Sequence, residues 1–224
     1  MDTPYALVSL EETTSTQDEA RSRFAGSPLL VVAGRQTAGR GRSGSAWETA
    51  PKALAASIAF STEWPADTWG RIPLVAGLSV LECLPDVLAL KWPNDVMRGD
   101  EKLAGILLES FGGVIVAGIG VNLVWSHPPA GYGALYKEDS SSIDRVAIAR
   151  CWASALLRRL TAGPDEWGAA EYRSQCVTIG KQVRWDPDGC GHVRDVAADG
   201  SLMVETNEAT VYLVGGAVRE IRET

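Results

Sequence analysis

Short apolar runs alternate with polar, helically spaced segments through most of this chain. The pattern predicts strands at 6–10, 29–34, 53–60, 88–92, 104–109 and 114–123. It predicts helices at 13–25, 71–84, 143–160 and 165–175, the first with Thr16 as its N-cap and Glu19 three positions later. Between these elements, a polar turn is expected at 95–100 and a surface loop at 132–142.

The pattern changes after Ile179, where only short strands are predicted. They lie at 182–185, 192–197, 201–206, 210–214 and 218–221, separated by turn-forming residues at 186–189, 198–200 and 207–208. This spacing indicates a small β-barrel of about 45 residues. A chain of 224 residues can hold one full core and such an appended domain. We therefore predict a first domain over 1–176 and a second over 177–224.

Composition narrows the class of protein. Apolar residues make up 46% and charged residues 22%, as in ordinary soluble globular proteins. A net charge of −7 argues against nucleic-acid binding, which needs a basic face. The first residues do not resemble an export signal, and no apolar run approaches the roughly 20 residues of a membrane span. We expect a cytoplasmic protein that binds neither DNA nor membranes.

The four cysteines are scattered and include no C-x-x-C pair. We expect free thiols in a reducing compartment. Only His127 and His192 are available, so zinc catalysis or a serine–histidine relay has few residues to work with.

A glycine-rich segment, residues 39–47, is the first of three motifs that indicate chemistry. Its glycines at 39, 41 and 44 allow backbone N–H groups to approach an anion closely. Arg40 and Arg42 add donors suited to phosphate and carboxylate, and Trp47 could stack on an adenine. No acidic residue lies between Arg35 and Trp47, so a local positive field is expected. The alternative is a flexible surface turn that carries two arginines.

The other two motifs each bring a lysine. Lys102 begins an apolar strand and could reach into a pocket, or it could simply mark a strand end. Lys91 ends a strand before Asn94 and Asp95, whose oxygens suit Mg²⁺ but equally suit a plain turn. Together the three motifs predict a pocket for a carboxylate and a nucleotide triphosphate. Such a pocket is needed to activate an acid as an acyl-adenylate.

Two further segments have competing interpretations. Residues 118–122 resemble a dinucleotide-binding loop, but the following residues, with Pro128 and Pro129, cannot begin a helix. We expect the glycines there to make room for a ligand, with Asn122 as a polar group. Ser15 and Thr16 could cap the first helix, face a pocket, or do both.

These segments in combination resemble the biotin protein ligase family, the biotin–acetyl-CoA-carboxylase ligases. The resemblance runs from about Leu10 to Ile221 and rests on residues 15–17, 36–42, 91–95, 102–109 and 118–122. It implies an α+β fold in which helices flank a mixed sheet of the class II aminoacyl-tRNA synthetase type. It also implies a C-terminal Src-homology-3-like barrel.

The resemblance assigns roles to the matching residues. The residues implied for the ureido head of biotin are Ser15, Thr16, Gln17 and Gln36. Those implied to wrap the acyl phosphate are Gly39, Arg40, Gly41 and Arg42. Arg40 and Lys102, the implied catalytic residues, would contact the carboxylate and phosphates.

For the rest of the pocket, Gly105 and Gly118 would leave room for biotin. Trp47 would pack on adenine, and Asn122 would lie near the ribose and phosphate. The residues assigned to ATP or its metal are Lys91, Asn94 and Asp95, with Asp95 as the metal ligand.

The implied reaction joins biotin and MgATP into biotinyl-5'-adenylate. The biotin then passes to a lysine of a biotin carboxyl carrier protein, or of the equivalent domain in an acetyl-CoA or acyl-CoA carboxylase. We expect a monomer or weak homodimer. Relatives that act as repressors carry an N-terminal helix-turn-helix domain, for which this chain has no room, so no repressor activity is expected.

Two positions depart from the family pattern. Many members have arginine where this chain has Ser45, and asparagine where it has Gln17. Weaker retention of the adenylate and a shifted or water-mediated ureido contact are the expected consequences. The alternatives to a biotin ligase are a lipoate or octanoate ligase of the same superfamily, and a non-catalytic module that senses a small acid.

Overall fold

The computed structural model describes residues 4–45, 47–139, 143–215 and 218–220. Within these residues the strands are β1 Ala6–Thr13, β2 Leu29–Gln36, β3 Lys52–Phe60, β4 Ala89–Lys91, β5 Asp95–Arg98, β6 Glu101–Phe111, β7 Val114–Val124, β8 Gln182–Trp185, β9 Gly189–Val196, β10 Leu202–Glu205, β11 Thr210–Leu213 and β12 Val218–Glu220. The α-helices are α1 Thr16–Arg23, α2 Ile72–Leu81, α3 Arg145–Leu160 and α4 Ala169–Gln175. Short 3₁₀ helices lie at Arg42–Gly44, Ala66–Arg71 and Pro164–Glu166.

The first seven strands of the described residues form one mixed sheet. Their order is β1-β2-β3-β7-β6-β5-β4, with β1 and β2 parallel and the other neighbours antiparallel. Helices α2 and α3 pack on one face, and α1 packs on the other. This arrangement confirms the predicted mixed sheet flanked by helices.

Strand β3 explains why the two faces differ. Its alternate residues Leu54, Ile58 and Phe60 are fully buried in the core under α2 and α3. Burying each such side chain stabilises the fold by roughly 1.5–3 kcal/mol. The residues between them are small, Ala53, Ala55 and Ser57 among them, and leave the opposite face shallow. A cavity can therefore form on the α1 side without loss of the main core.

Two predictions near the ends of elements were wrong. Helix α1 begins at Thr16 and its N-cap is Ser15, whose hydroxyl accepts from Asp18 N; it is not Thr16. Residues up to Thr13 extend β1, because they pair with β2 through Gln36. The segment 95–98 is a strand rather than a turn, since buried Val96 and Met97 pair it with β6.

The C-terminal strands form a separate five-stranded sheet, in the order β11-β10-β9-β8-β12. The strand predicted at 192–197 begins earlier, at Gly189, because residues 189–192 pair with β8. Of the strand predicted at 218–221, Ile221 lies outside the described residues. Trp92, which directly follows β4, donates its indole N–H at 3.0 Å to the O atom of Gly200, in the turn between β9 and β10. The closure of this sheet into a barrel stays a prediction.

The expectation of four free thiols was wrong. Cys83, which follows α2, forms a disulfide with Cys151 of α3. The two helices pack side by side, and this brings two cysteines 68 positions apart within bonding range. Cys176 is a free buried thiol and Cys190 a free exposed one. No helix among the described residues is long and apolar enough to cross a membrane.

Candidate active site

A cavity of about 990 Å³ lies on the α1 face of the mixed sheet. Its floor consists of small residues in cross-strand register: Ser57 opposite Gly118 in one row, and Ala55 opposite Gly120 in the next. Gly120 is in turn opposite Gly105 of β6. The predicted site residues that line the cavity are Ser15, Thr16, Gln17, Gln36, Arg40, Gly41, Arg42, Trp47, Asn94, Asp95, Lys102, Gly105 and Gly118. Three predicted residues, Gly39, Lys91 and Asn122, are not among the lining residues.

One end of the cavity carries a chain of uncharged polar groups. Gln36 Oε1 accepts from Thr16 N at 2.8 Å and from Thr16 Oγ1 at 3.1 Å. The Thr16 hydroxyl also lies 2.8 Å from Ser57 Oγ. Ser15 caps α1 and lines the cavity as well, so both interpretations of that residue apply. We call this end, with Gln17, the α1 end.

The Gln17 side chain completes the α1 end. It is only 5% exposed, and its amide nitrogen lies 3.4 Å from both Glu109 Oε2 and Val116 O. The amide oxygen is buried and has no hydrogen-bond partner among the described residues.

Trp47 lies over the neighbouring glycine row. A Cβ on Gly105 would come within 2.5 Å of the indole, and one on Gly120 within 2.8 Å. The Lys102 ammonium lies 5.0 Å from the centre of the ring system, within cation–π range. The loop after β2 closes beneath the indole through a hydrogen bond from Trp47 N to Gly39 O. Trp47, Gly105 and Gly120 thus place an aromatic face beside a lysine.

Charged groups surround this second end of the cavity. Lys102 Nζ lies 2.6 Å from Asp95 Oδ1. Arg42 donates to Asn94 Oδ1 at 3.3 Å, and Asn94 is fixed by its own donation to Ile106 O at 2.8 Å. Burial lowers the pKa of Arg42, and the charge of Asp95 partly opposes that shift. We call this the lysine end: it brings two cations and one carboxylate together.

Arg40 lies at the other end. Its guanidinium binds Asp18 in bidentate fashion, at 2.7 and 2.9 Å, and Glu109 at 3.3 Å. The hydrogen bonds that Arg40 donates to Asp18 raise the pKa of Arg40 and lower the pKa of Asp18. Four residues, or about 13 Å of strand, separate Glu109 from Gly105 at the lysine end. Asp18 of α1 and Glu109 of β6 therefore neutralise the positive charge that Arg40 brings to the glycine-rich loop.

Asn122, outside the cavity lining, is fully buried. Its Oδ1 accepts from Ala50 N at 3.3 Å and its Nδ2 donates to Gly133 O at 3.1 Å. These two hydrogen bonds connect the segment after Trp47 to the segment that follows β7. Packing also requires a glycine at position 39, since a Cβ there would lie 2.7 Å from Gln36 Nε2.

A metal ion would find few ligands here. No group of three His, Cys, Asp or Glu side chains within the described ranges is arranged to hold one. Two carboxylates at this end are among the described lining residues, Glu48 and Asp95, and Lys102 already pairs with Asp95. This donor set fits Mg²⁺ that arrives bound to nucleotide phosphates, because such Mg²⁺ needs only one or two protein carboxylates.

Sequence reasoning assigned no role to Ser57, Asp18 or Glu109. Ser57 is the one hydroxyl in the apolar run 53–60, which could have marked it. Glu109 was part of a motif, but its contacts with Gln17 and Arg40 depend on long-range pairing. No local pattern distinguishes Asp18 from an ordinary acidic residue in the first turn of a helix.

The chain is similar to known proteins of one family. The model of the biotin/lipoate A/B protein ligase family matches residues 7–124. The biotin–[acetyl-CoA-carboxylase] ligase of Mycobacterium tuberculosis (strain ATCC 25618 / H37Rv) is 34% identical over 215 residues, covering 87% of this chain and 79% of that protein. The bifunctional ligase/repressor BirA of Escherichia coli (strain K12) is 30% identical over 216 residues, covering 84% of this chain and 64% of that protein.

A solved structure is also similar over nearly the whole chain. The biotin protein ligase from Aquifex aeolicus, in complex with biotin and ATP, superposes with a TM-score of 0.80 at 25% identity. The match covers 97% of this chain and 99% of that one. From the family match and the identity to the mycobacterial enzyme, we conclude that the chain belongs to the biotin/lipoate A/B protein ligase family.

Proposed function

We propose that this protein is an ATP-dependent biotin–protein ligase that forms biotinyl-5'-adenylate and transfers biotin to a carrier lysine. The observation that carries the proposal is the two-ended cavity. Hydrogen-bonding groups lie at the α1 end, and Lys102, Arg42 and Trp47 lie at the lysine end. An acid with a polar head and a distant carboxylate fits such a cavity, and the names of the relatives support biotin as that acid.

In this proposal the biotin head meets the α1 end. The groups proposed to contact it are Ser15, Thr16, Gln17 and Gln36, with Gly118 clearing space in the floor. Its chain then runs past the indole of Trp47, which covers the glycine row, so that the carboxylate reaches Lys102. Gly39 and Gly41 let the loop backbone turn tightly around the acyl phosphate.

ATP is proposed to bind at the lysine end, with adenine against Trp47. Lys102 and Arg42 would neutralise charge as the biotin carboxylate attacks the α-phosphate and pyrophosphate leaves. Arg40, the other proposed catalytic cation, would have to exchange Asp18 or Glu109 for the ligand. Asp95, with Asn94 beside it, is the proposed contact for Mg²⁺, which would screen the phosphates. Contacts of Lys91 and Asn122 with ATP remain expectations from the resemblance.

The second step needs no covalent bond to the enzyme. A lysine amine of the carrier attacks the acyl carbon, and AMP leaves. The proposed partner is the biotin carboxyl carrier protein, or the equivalent carboxylase domain, in the cytoplasm. The proposed catalytic domain is 1–176, and the proposed barrel 177–224. We expect no DNA binding or repressor activity, since the net charge of −7 offers no general attraction to phosphate.

The test is to incubate the purified chain with biotin, MgATP and an unmodified carrier domain, and to weigh the carrier by mass spectrometry. The expected result is one biotin on one lysine, dependent on both substrates. Parallel reactions with lipoic and octanoic acid test the other acids of the superfamily. Modification by lipoate or octanoate but not biotin would overturn the proposal. Binding of biotin without any ATP turnover would indicate a sensor module instead.

A further inference from the structure

The orientation of the Gln17 amide is set by two acceptors that lie side by side. Glu109 of β6 and Val116 of β7 are cross-strand partners, and both face the Gln17 amide nitrogen at 3.4 Å. A carboxylate and a carbonyl can only accept hydrogen bonds. The NH₂ group of Gln17 must therefore point at Glu109 and Val116.

This orientation turns the amide oxygen towards the cavity floor. Oε1 lies 3.0 Å from the position of a Cβ on Gly118, beside Ser57. It is buried and unpartnered among the described residues, inside a side chain that is 95% buried. An unpaired buried acceptor is costly, so this position favours a ligand that brings an N–H or O–H donor.

We propose that Glu109 is a positioning residue that makes the pocket select head groups carrying an N–H donor. It does so through Gln17, by holding the amide with its oxygen towards the ligand. The inference rests on the proposed function, in which the head group is the ureido ring of biotin. A ureido ring offers two N–H groups, whereas the dithiolane of lipoate and the alkyl end of octanoate offer none.

Arg40 supports this role of Glu109. Its guanidinium lies 3.3 Å from the same Oε2 atom that faces Gln17. The guanidinium and the Gln17 amide therefore share one acceptor atom of Glu109. Selection of the head group therefore depends on Glu109, which also contacts the glycine-rich loop through Arg40.

The experiment compares ligands on matched variants of the full chain. Binding constants are measured calorimetrically for biotin and for its two carbamate analogues, in each of which one ureido N–H is replaced by oxygen. The variants are Glu109→Leu, Asp18→Asn and Glu12→Gln. Asp18→Asn breaks the stronger contact of Arg40 but leaves Gln17 alone. Glu12→Gln removes an exposed carboxylate that pairs with Arg35 elsewhere on the sheet.

We expect the unaltered chain to bind one carbamate analogue at least about tenfold more weakly than biotin, since a buried acceptor loses its donor. Glu109→Leu should weaken biotin about tenfold and leave that analogue nearly unchanged, so the ratio collapses. Asp18→Asn and Glu12→Gln should keep the ratio of the unaltered chain. Equal weakening of both ligands by Glu109→Leu would mean a structural role only and would overturn the inference. So would an unchanged ratio in that variant.

The outcome is separable from the proposed function. Carrier biotinylation by the unaltered chain tests the ligase proposal without reference to Glu109. If the chain biotinylates its carrier and the ratio survives in Glu109→Leu, only this inference fails. If the chain binds no biotin, the ligase proposal fails first.

Discussion

The indole of Trp47 occupies the space that a side chain on Gly120 would need. A Cβ on Gly120 would lie 2.8 Å from Trp47 Cε2, closer than real Cβ contacts come. Gly105, the cross-strand partner of Gly120, has the same relation to the far edge of the ring at 2.5 Å. From the resemblance, Gly105 was expected to make room for biotin. In the structure, the space above it is filled by Trp47.

Gly120→Val should therefore displace the Trp47 indole from its position over Gly105 and Gly120. Because Trp47 is the proposed adenine contact, we expect the KM for ATP to rise about tenfold, equivalent to about 1.4 kcal/mol. The Kd of biotin without ATP should change much less. Steady-state pyrophosphate release and calorimetry measure the two constants. Gly70→Ala is the control, since a Cβ there meets nothing within 4 Å. An unchanged KM for ATP would separate Trp47 from nucleotide binding.

Ser45→Arg should slow the escape of the adenylate. Ser45 is exposed, and its hydroxyl donates to Arg42 O at 2.9 Å within the loop. An arginine there adds a cation near the proposed phosphate site at the cost of one weak local hydrogen bond. We expect release of biotinyl-adenylate, measured by rapid filtration, to slow several-fold. Ser45→Gln, which adds length without charge, is the control. Release kinetics equal in all three chains would contradict the prediction.

The Asp18–Arg40 pair should give a small pH-dependent contribution to stability. Hydrogen bonding to Arg40 lowers the pKa of Asp18 below its ordinary value of 3.8. The contribution is therefore present above about pH 3.8 and is lost as the pH falls through the lower, folded-state pKa. Because the Asp18 side chain is 55% exposed, it should be below about 1 kcal/mol.

Urea unfolding of the unaltered chain and of Asp18→Asn, between about pH 6 and pH 3, measures this contribution. The difference in unfolding free energy should shrink towards the acid end. In an Arg40→Met background it should be smaller throughout, because the largest cause of the lowered pKa is then gone and only weaker ones, Ser15 and Arg21, remain. A difference that grows on acidification would show that the ion pair does not lower this pKa.

The disulfide predicts a defined thiol count. With no reductant, a thiol reagent should label the exposed Cys190 quickly and the buried Cys176 only after denaturation. Burial also raises the pKa of Cys176, which leaves less of the reactive thiolate. Reduction in denaturant should then release Cys83 and Cys151. Cys190→Ser should remove the fast phase. Four reactive thiols without reductant would contradict the bond.

Much of the fold could be predicted because its signals are local. The alternation along 53–60 and the apolar runs at 29–34 and 114–123 correspond to the central strands β3, β2 and β7. Boundaries were missed where a neighbour decides the conformation. Residues up to Thr13 are extended because β2 pairs with them. The Cys83–Cys151 bond depends on how α2 and α3 pack, which spacing along the chain does not reveal.

The sequence identified most residues of the candidate site but not how they are arranged within it. The sequence motifs predict that Arg40 and Lys102 surround one anion. Both residues do line one cavity. Their partners differ, however: Arg40 binds Asp18 and Glu109, while Lys102 binds Asp95. Those partners come from other elements and are fixed by sheet register. A motif read along the chain identifies the cations but not the carboxylates that hold them.

The central claim is that Lys102 neutralises charge while biotin is activated as an adenylate. Biotin-dependent exchange of labelled pyrophosphate into ATP tests it directly, because exchange reports the first step without any carrier. Lys102→Ala should reduce exchange by at least about 10²-fold, the scale for removing one preorganised group that stabilises a transition state. Its thermal unfolding midpoint should stay close to that of the exposed control Lys181→Ala, which should exchange normally. Near-normal, biotin-dependent exchange by a folded Lys102→Ala chain would contradict the account.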